Sequence, residues 1–201
     1  MKFFLILGMG MLFFTKGFSQ QFRAFVKAGV VASQVHGDQL SGYNKAGIVG
    51  GIGVEHPFSS FLGRMEILFI QKGSRKNPTN EDPTKYLMRL NYVEVPVLVQ
   101  KFFLSQVGLE GGSSWGILLK TTQVEWDIHG LLVSRQPFRR FEWAAHAGLM
   151  YKIDEKSQVI FRFSHSILPI RPYPSGLPSY YFYDRGQYNN LISLTYEYHL
   201  N

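Results

Sequence analysis

The stretch Phe141–Ile167, FEWAAHAGLMYKIDEKSQVIFRFSHSI, decides the fold. Phe141, Trp143, Ala145, Ala147, Leu149, Tyr151 and Ile153 alternate with Glu142, His146 and Lys152. After the polar Asp154–Ser157, Val159, Phe161, Phe163 and Ile167 alternate with Gln158, Arg162 and Ser164. A period of two belongs to a β-strand, whose successive side chains leave on opposite faces. The short polar connection makes the two strands an antiparallel hairpin. One face is apolar and aromatic throughout, and the other carries Glu, His, Arg and Ser.

The same alternation runs outward from this hairpin in both directions. Phe22, Ala24, Val26, Ala28, Val30 and Ala32 oppose Arg23, Lys27, Gly29 and Ser33. Further strands are predicted over Lys45–Glu55, Phe61–Lys72, Leu87–Phe103 and Val107–Thr121. A last strand sets Ile192, Leu194, Tyr196, Tyr198 and Leu200 against Ser193, Thr195, Glu197 and His199. That makes eight. Their connections alternate: short near His56–Ser60, Leu104–Gln106 and Asp154–Ser157, long near His36–Asn44, Gly73–Tyr86, Thr122–Arg139 and Pro169–Gln187. Short turns at one end and long loops at the other describe an eight-stranded antiparallel up-and-down transmembrane β-barrel. In such a barrel the apolar face meets lipid and the polar face points inward, whereas a soluble sandwich buries the apolar face. The even strand count puts both mature termini on the short-turn side, the periplasm.

Composition agrees. The chain has 201 residues, of which 15% are aromatic and 17% charged, with twenty Gly and no Cys. The lack of Cys excludes a disulfide scaffold, a zinc–thiolate site and a thiol nucleophile. The mean hydropathy of −0.06 excludes only a bundle of membrane helices, because averaging cancels a lipid-facing set against an interior set. Residues 1–19 read as a signal peptide: Lys2, an uncharged run from Phe3 to Phe14, then Gly17 and Ser19 as a small-x-small cleavage site. The barrel domain is then 20–201, and without Lys2 and Lys16 its formal charge drops by two from +7. Export makes nucleic acid an unlikely partner; anionic lipid or lipopolysaccharide fits the basic surplus better.

Six segments, in order, resemble one family: KAGV at Lys27–Val30, GIVGGIGVEHPF at Gly47–Phe58, RMEILFIQKGS at Arg64–Ser74, LNYVEVPVLVQKFF at Leu90–Phe103, VGLEGGSSWGILL at Val107–Leu119 and AHAGLMYKI at Ala145–Ile153. Together with the closing LTYEYHL they resemble the PorT-like outer-membrane β-barrel proteins of Bacteroidota. The resemblance implies an eight-stranded barrel in a Gram-negative outer membrane, and an association with type IX secretion for PorT itself. It supplies no catalytic residues.

No catalytic set or cofactor is expected from the residues either. His165 stands between Ser164 and Ser166, but strand neighbours diverge, while a nucleophile and its base must converge. His36 with Asp38, and Asp127 with His129, offer two metal ligands each and no third. The expected interior charge network is Arg23, Lys27, Lys45, Arg64, Lys120 and Arg162 with Glu55, Glu66, Glu94, Glu110, Glu142 and Glu197; His146 and His199 join its polar face. The Arg171–Tyr188 loop is the candidate partner surface, through Arg171, Tyr173, Tyr180, Tyr181, Phe182, Tyr183 and Arg185, residue types enriched at binding hot spots. Arg135, Arg139 and Arg140 are candidate contacts for lipopolysaccharide phosphates. The expected role is a non-enzymatic structural or interaction subunit of the envelope. An accessory role in type IX secretion and a lipid-modifying enzyme are the alternatives.

Overall fold

Nine strands follow in chain order: β1 (Arg23–His36), β2 (Lys45–Pro57), β3 (Leu62–Lys76), β4 (Lys85–Phe102), β5 (Val107–Asp127), β6 (Gly130–Leu132), β7 (Phe141–Lys152), β8 (Ser157–Ser166) and β9 (Tyr188–His199). The computed structural model describes residues 22–38, 40, 42–127, 130–132, 137–172 and 186–200, with backbone alone for 123–127 and 130–132. The leader, Arg135 and residues 173–185 lie outside the described residues.

All pairings are antiparallel, each long strand bonding its neighbours in sequence. β1 pairs with β9 from Phe25↔His199 to His36↔Tyr188, which closes the sheet into an eight-stranded barrel. β6 is a short return strand on the far end of β5. The eight long strands run 10 to 21 residues, enough for the roughly 9–11 that a tilted strand needs to cross a bilayer. Closure gives each of the eight long strands a neighbour on both sides.

The polarity is inverted relative to a soluble barrel. Outward Val30, Ile52, Trp115 and Phe141 are 57–68% exposed, whereas inward Glu66, Lys72 and Glu197 are 0% exposed. Phe103, Tyr151 and Tyr198 are exposed at the short-turn end, where an interfacial aromatic girdle is expected. Both described chain ends, Phe22 and Leu200, lie at that end too. Its turn between β7 and β8 is held by Asp154, whose Oδ1 accepts the N–H groups of Lys156 at 2.8 Å and Ser157 at 2.9 Å. Those bonds, led by the Lys156 N–H, hold the Asp154 carboxyl below the usual carboxylate range.

Two expectations change. The loops at the other end are shorter than the hydropathy pattern suggests. β3 runs on to Lys76 and β4 begins at Lys85, while β5 continues to Asp127 and folds back into β6. The ladder extends beyond the apolar belt because backbone pairing does not need apolar side chains. The interior is also only half polar. Val31, Val35, Val49, Leu68, Ile70, Met88, Leu90, Tyr92, Ile170 and Leu191 form an apolar plug in the long-loop half. On β3, inward Arg64 and Glu66 are followed by inward Leu68 and Ile70. The inward face thus changes chemistry along its length.

The closing seam depends on close backbone approach at Gly29. A Cβ there would lie 2.2 Å from the Leu194 carbonyl oxygen and 2.7 Å from the Thr195 Cα. Gly29→Val should therefore lower stability by about 1–3 kcal/mol through overpacking. Ala28→Val, on the outward face of the same strand, should be near neutral. Urea unfolding in detergent micelles, with heat-modifiable gel mobility as the readout of the folded barrel, checks both.

Candidate functional site

The most constrained chemistry lies inside the barrel. Arg162 on β8 is its hub. Its Nη1 and Nη2 lie 2.9 and 3.1 Å from the two Glu66 oxygens, and its Nε and Nη2 lie 2.5 and 3.2 Å from those of Glu110. One guanidinium therefore grips two carboxylates, each bidentately, the geometry a planar fork of donors favours. Lys27 adds its Nζ to Glu66 at 2.7 Å and reaches Glu197 at 3.4 Å. Arg64 Nη2 meets Glu197 at 2.5 Å, and its guanidinium stacks 3.9 Å above the Phe25 ring centroid. Gln100 donates to Glu110 at 2.9 Å and Gln158 to Glu197 at 2.5 Å. All of these side chains are buried, so each carboxylate depends on its partners for the solvation that water would otherwise give.

Room for the hub comes from Gly148, opposite Arg162 in the β7–β8 register. A Cβ at Gly148 would lie 2.8 Å from the Glu110 carboxyl group. A second group sits nearer the apolar plug. Lys72 contacts Glu94 and lies 3.1 Å from Glu142, which also accepts from Ser166 at 2.5 Å and Asn189 at 3.1 Å. Between the groups, His146 bonds Ser164 Oγ through Nδ1 at 2.6 Å and Ser114 Oγ through Nε2 at 2.7 Å. A neutral imidazole does this by donating to one serine and accepting from the other.

The expected interior charges divide among several places. Lys27, Arg64, Arg162, Glu66, Glu110 and Glu197 come together in one network, while Glu94 and Glu142 join Lys72 instead. Glu55 is buried beside His199. Lys45 is buried, but its Nζ bonds the Ala46 carbonyl at 3.3 Å and no carboxylate among the described residues. Arg23 and Lys120 depart from the expectation: both are exposed. Arg23 has the inward phase but stands at the rim, and Lys120 lies past the β-bulge at Asn91/Tyr92, which breaks the alternation. Sequence reasoning missed Lys72, Gln100 and Gln158 as network members, and Ser114 with Ser164 as partners of His146. Their only signal was an inward position on the strand.

Arg171 is a further correction. Expected at an exposed partner surface, it is 2% exposed, with its Nε donating to Gln187 at 2.5 Å and its guanidinium 4.5 Å from the Phe138 ring centroid. It bridges the two ends of the last loop, and Gln187 bonds the Gly37 carbonyl at 3.1 Å. Tyr173, Tyr180, Tyr181, Phe182, Tyr183 and Arg185 lie outside the described residues, as does Arg135. Arg139 and Arg140 are exposed at the long-loop end. His165 points outward, stacked on Tyr188, while Ser164 and Ser166 are buried inside, so the three do not converge. The cavity beside His146 and Ser164 is about 10 Å³, room for one water at most and none for a lipid headgroup.

Comparison with known proteins agrees with this architecture. Residues 17–170 match the family described as outer membrane protein beta-barrel domain. Among solved structures, the chain is similar to Neisserial surface protein A, with 9% identity and a TM-score of 0.54, covering 87% of this chain and 96% of that one. It is also similar to Ail, the attachment invasion locus protein of Yersinia pestis, with 12% identity and a TM-score of 0.52, covering 89% and 98%. A second Ail structure, in complex with the heparin analogue sucrose octasulfate, is 13% identical with a TM-score of 0.50, covering 89% and 99%. At this identity the likeness is one of fold. No curated protein sequence matches the chain.

Arg162→Met should leave Glu66 and Glu110 short of their shared cation and lower stability by about 3–5 kcal/mol. Adding Glu110→Gln should recover part of the loss, because the second change removes one stranded charge. A double-mutant cycle by urea unfolding measures the coupling.

Proposed function

Since the chain belongs to the outer membrane protein beta-barrel domain family and so resides in the outer membrane of a Gram-negative bacterium, we propose that it works as a non-enzymatic interaction subunit there, through its long-loop end. The observation that carries this reading is the contrast between a filled lumen and a basic rim. Charge networks fill the short-turn half of the interior and an apolar plug fills the other half. At the long-loop end, Arg75, Lys85, Arg89, Lys120, Arg139 and Arg140 are exposed. On the β4–β5 register Arg89 lies opposite Thr122, and Lys120 lies opposite Asn91, so the two cations are diagonal neighbours outside the barrel. Such a rim stands where phosphates of lipopolysaccharide meet a barrel, and guanidinium–phosphate bonds are strong and directional. The same chemistry serves other surface polyanions, and the Ail complex with sucrose octasulfate supports polyanion binding by a barrel of this shape. In this reading both chain ends face the periplasm and the long loops face outward.

The PorT-like segments LNYVEVP at Leu90–Pro96 and EILFIQKG at Glu66–Gly73 support a second reading, an accessory part in type IX secretion. Normal export of type IX cargo by a deletion strain would remove it. The Ser164–His165–Ser166 run does not supply the convergent nucleophile and base that a lipid-modifying enzyme would use.

Protein reconstituted in vesicles of lipopolysaccharide and phospholipid should gain thermal stability over vesicles of neutral phosphatidylcholine alone, and added salt should shrink the gain. A variant with Arg89, Lys120, Arg139 and Arg140 all changed to Ser should lose most of it. An equal gain in that variant would sink the proposal.

A further inference from the structure

We propose that Glu55, Glu197 and His199 form a site for a divalent cation of the zinc class at the short-turn mouth of the barrel. The three side chains bring a ligand atom each to within 4.8 Å of one another, the one such group among the described residues. They come from β2 and β9, which flank β1, so the barrel wall itself sets their spacing.

The imidazole geometry points to a ligand. His199 Nδ1 lies 3.2 Å from the Lys156 carbonyl oxygen. A carbonyl only accepts, so Nδ1 carries a proton; in the neutral ring Nε2 then presents its lone pair to the carboxylates. That orientation of a ring by a backbone carbonyl is the usual outer support of a metal-bound histidine. Nε2 then faces Glu55 Oε1 at 3.3 Å and Glu197 Oε1 at 3.5 Å. Neither contact has hydrogen-bond geometry, and Nε2 has no hydrogen-bond partner; nor has Glu55 Oε2, on a residue only 3% exposed. With the ring neutral, a metal ion holds the three atoms together where a proton on Nε2 would otherwise do so.

The spacing suits a metal. Around zinc, ligand atoms sit at about 2.0–2.2 Å, which makes the edge of a tetrahedron about 3.3–3.6 Å. Two of the three edges here are 3.3 and 3.5 Å. One imidazole with two carboxylates is a donor set for this class of ion. The neighbours hold the ligands. Arg64 takes Glu197 Oε2, which turns Oε1 toward His199, and Gln158 steadies that oxygen from the other side.

Charge leaves a place for a cation as well. In the short-turn half, apart from the Lys72 group, the buried carboxylates Glu55, Glu66, Glu110 and Glu197 face the buried cations Lys27, Arg64 and Arg162, with Arg23 exposed at the rim. Glu66, Glu110 and Glu197 find partners in the network, and Glu55 is the one beside His199. A cavity of about 460 Å³, lined by Arg23, Glu55, Lys152, Gln158 and His199, opens onto the group. It gives the ion an entry path, and room for the water that a three-ligand site needs in its fourth position.

The test is zinc binding by the full barrel protein, folded in detergent micelles and freed of metal with a chelator. Calorimetry with zinc chloride should find one equivalent bound, and cobalt(II) chloride should give the visible absorption of a four-coordinate ion. His199→Gln and Glu55→Gln should each weaken binding at least about tenfold, while His165→Gln, at the opposite end, should leave it unchanged. Heat-modifiable gel mobility verifies that each variant is folded. A variant that does not fold is replaced by nitrogen NMR of the wild-type histidines, in which zinc must shift His199 Nε2. No stoichiometric binding, affinity unchanged in both His199→Gln and Glu55→Gln, or a His199 Nε2 that stays protonated at saturating zinc would each overturn the site.

Discussion

The double clasp of Arg162 on Glu66 and Glu110 is the interaction on which the rest of the interior depends. β8 is not a neighbour of β3 or β5 in the sheet, so these bonds cross the lumen. Two carboxylates taken from water cost several kcal/mol each unless donors replace their hydration. Arg162 supplies four contacts, Lys27 adds one to Glu66 and Gln100 one to Glu110, while Arg64 and Gln158 serve Glu197. The two glutamines reach acids on adjacent strands, but the ion pairs of Arg162 with Glu66 and Glu110, Lys27 with Glu66 and Arg64 with Glu197 join strands that are not hairpin partners. Charge pairing is therefore complete only when the sheet has closed, which ties the electrostatics to closure of the β1–β9 seam.

Above this network the lumen changes character. Lys72 with Glu94 and Glu142 forms a second, smaller group, and His146 lies between the levels, bonded to two serines. The aliphatic plug then covers the network on the long-loop side, with Ile170 and Leu191 among its members. The buried Arg171–Gln187 staple ties the base of the last loop to that plug and, through Gly37, to the β1–β2 connection. A lumen filled in this way leaves the rims and the loops as the places where such a barrel meets other molecules. The two rims differ in kind: exposed cations at the long-loop end, and a His–Glu–Glu cluster beneath a cavity at the short-turn end.

Much of this was legible in Phe141–Ile167 and its repeats, because a strand's period of two is a local property. Glu142, His146 and Arg162 could be placed on the inward face from their spacing alone. The alternation failed where geometry stopped being local. Lys120 sits beyond a bulge that shifts the phase of β5 against β4. Arg23 has the right phase but stands at the rim, where phase no longer means burial. Arg171 looked like a binding residue by type, yet Gln187, sixteen positions on, buries it. The half-apolar lumen was hidden because Leu68 and Ile70 follow Arg64 and Glu66 on the same face, and alternation does not say how a face changes along its length.

The sequence by itself determined the eight long strands, their inverted polarity, the alternation of short and long connections, and, away from the rim and the β4–β5 bulge, which side chains enter the lumen. These follow from backbone periodicity and from the chemistry of each residue. Only the tertiary structure decided which partners those side chains find. Arg162 meets acids 96 and 52 positions away, and Glu55 meets His199 across β1. Those distances depend on how far each strand is shifted along its neighbour and on the tilt that closes the ring, and no stretch of a single strand encodes either.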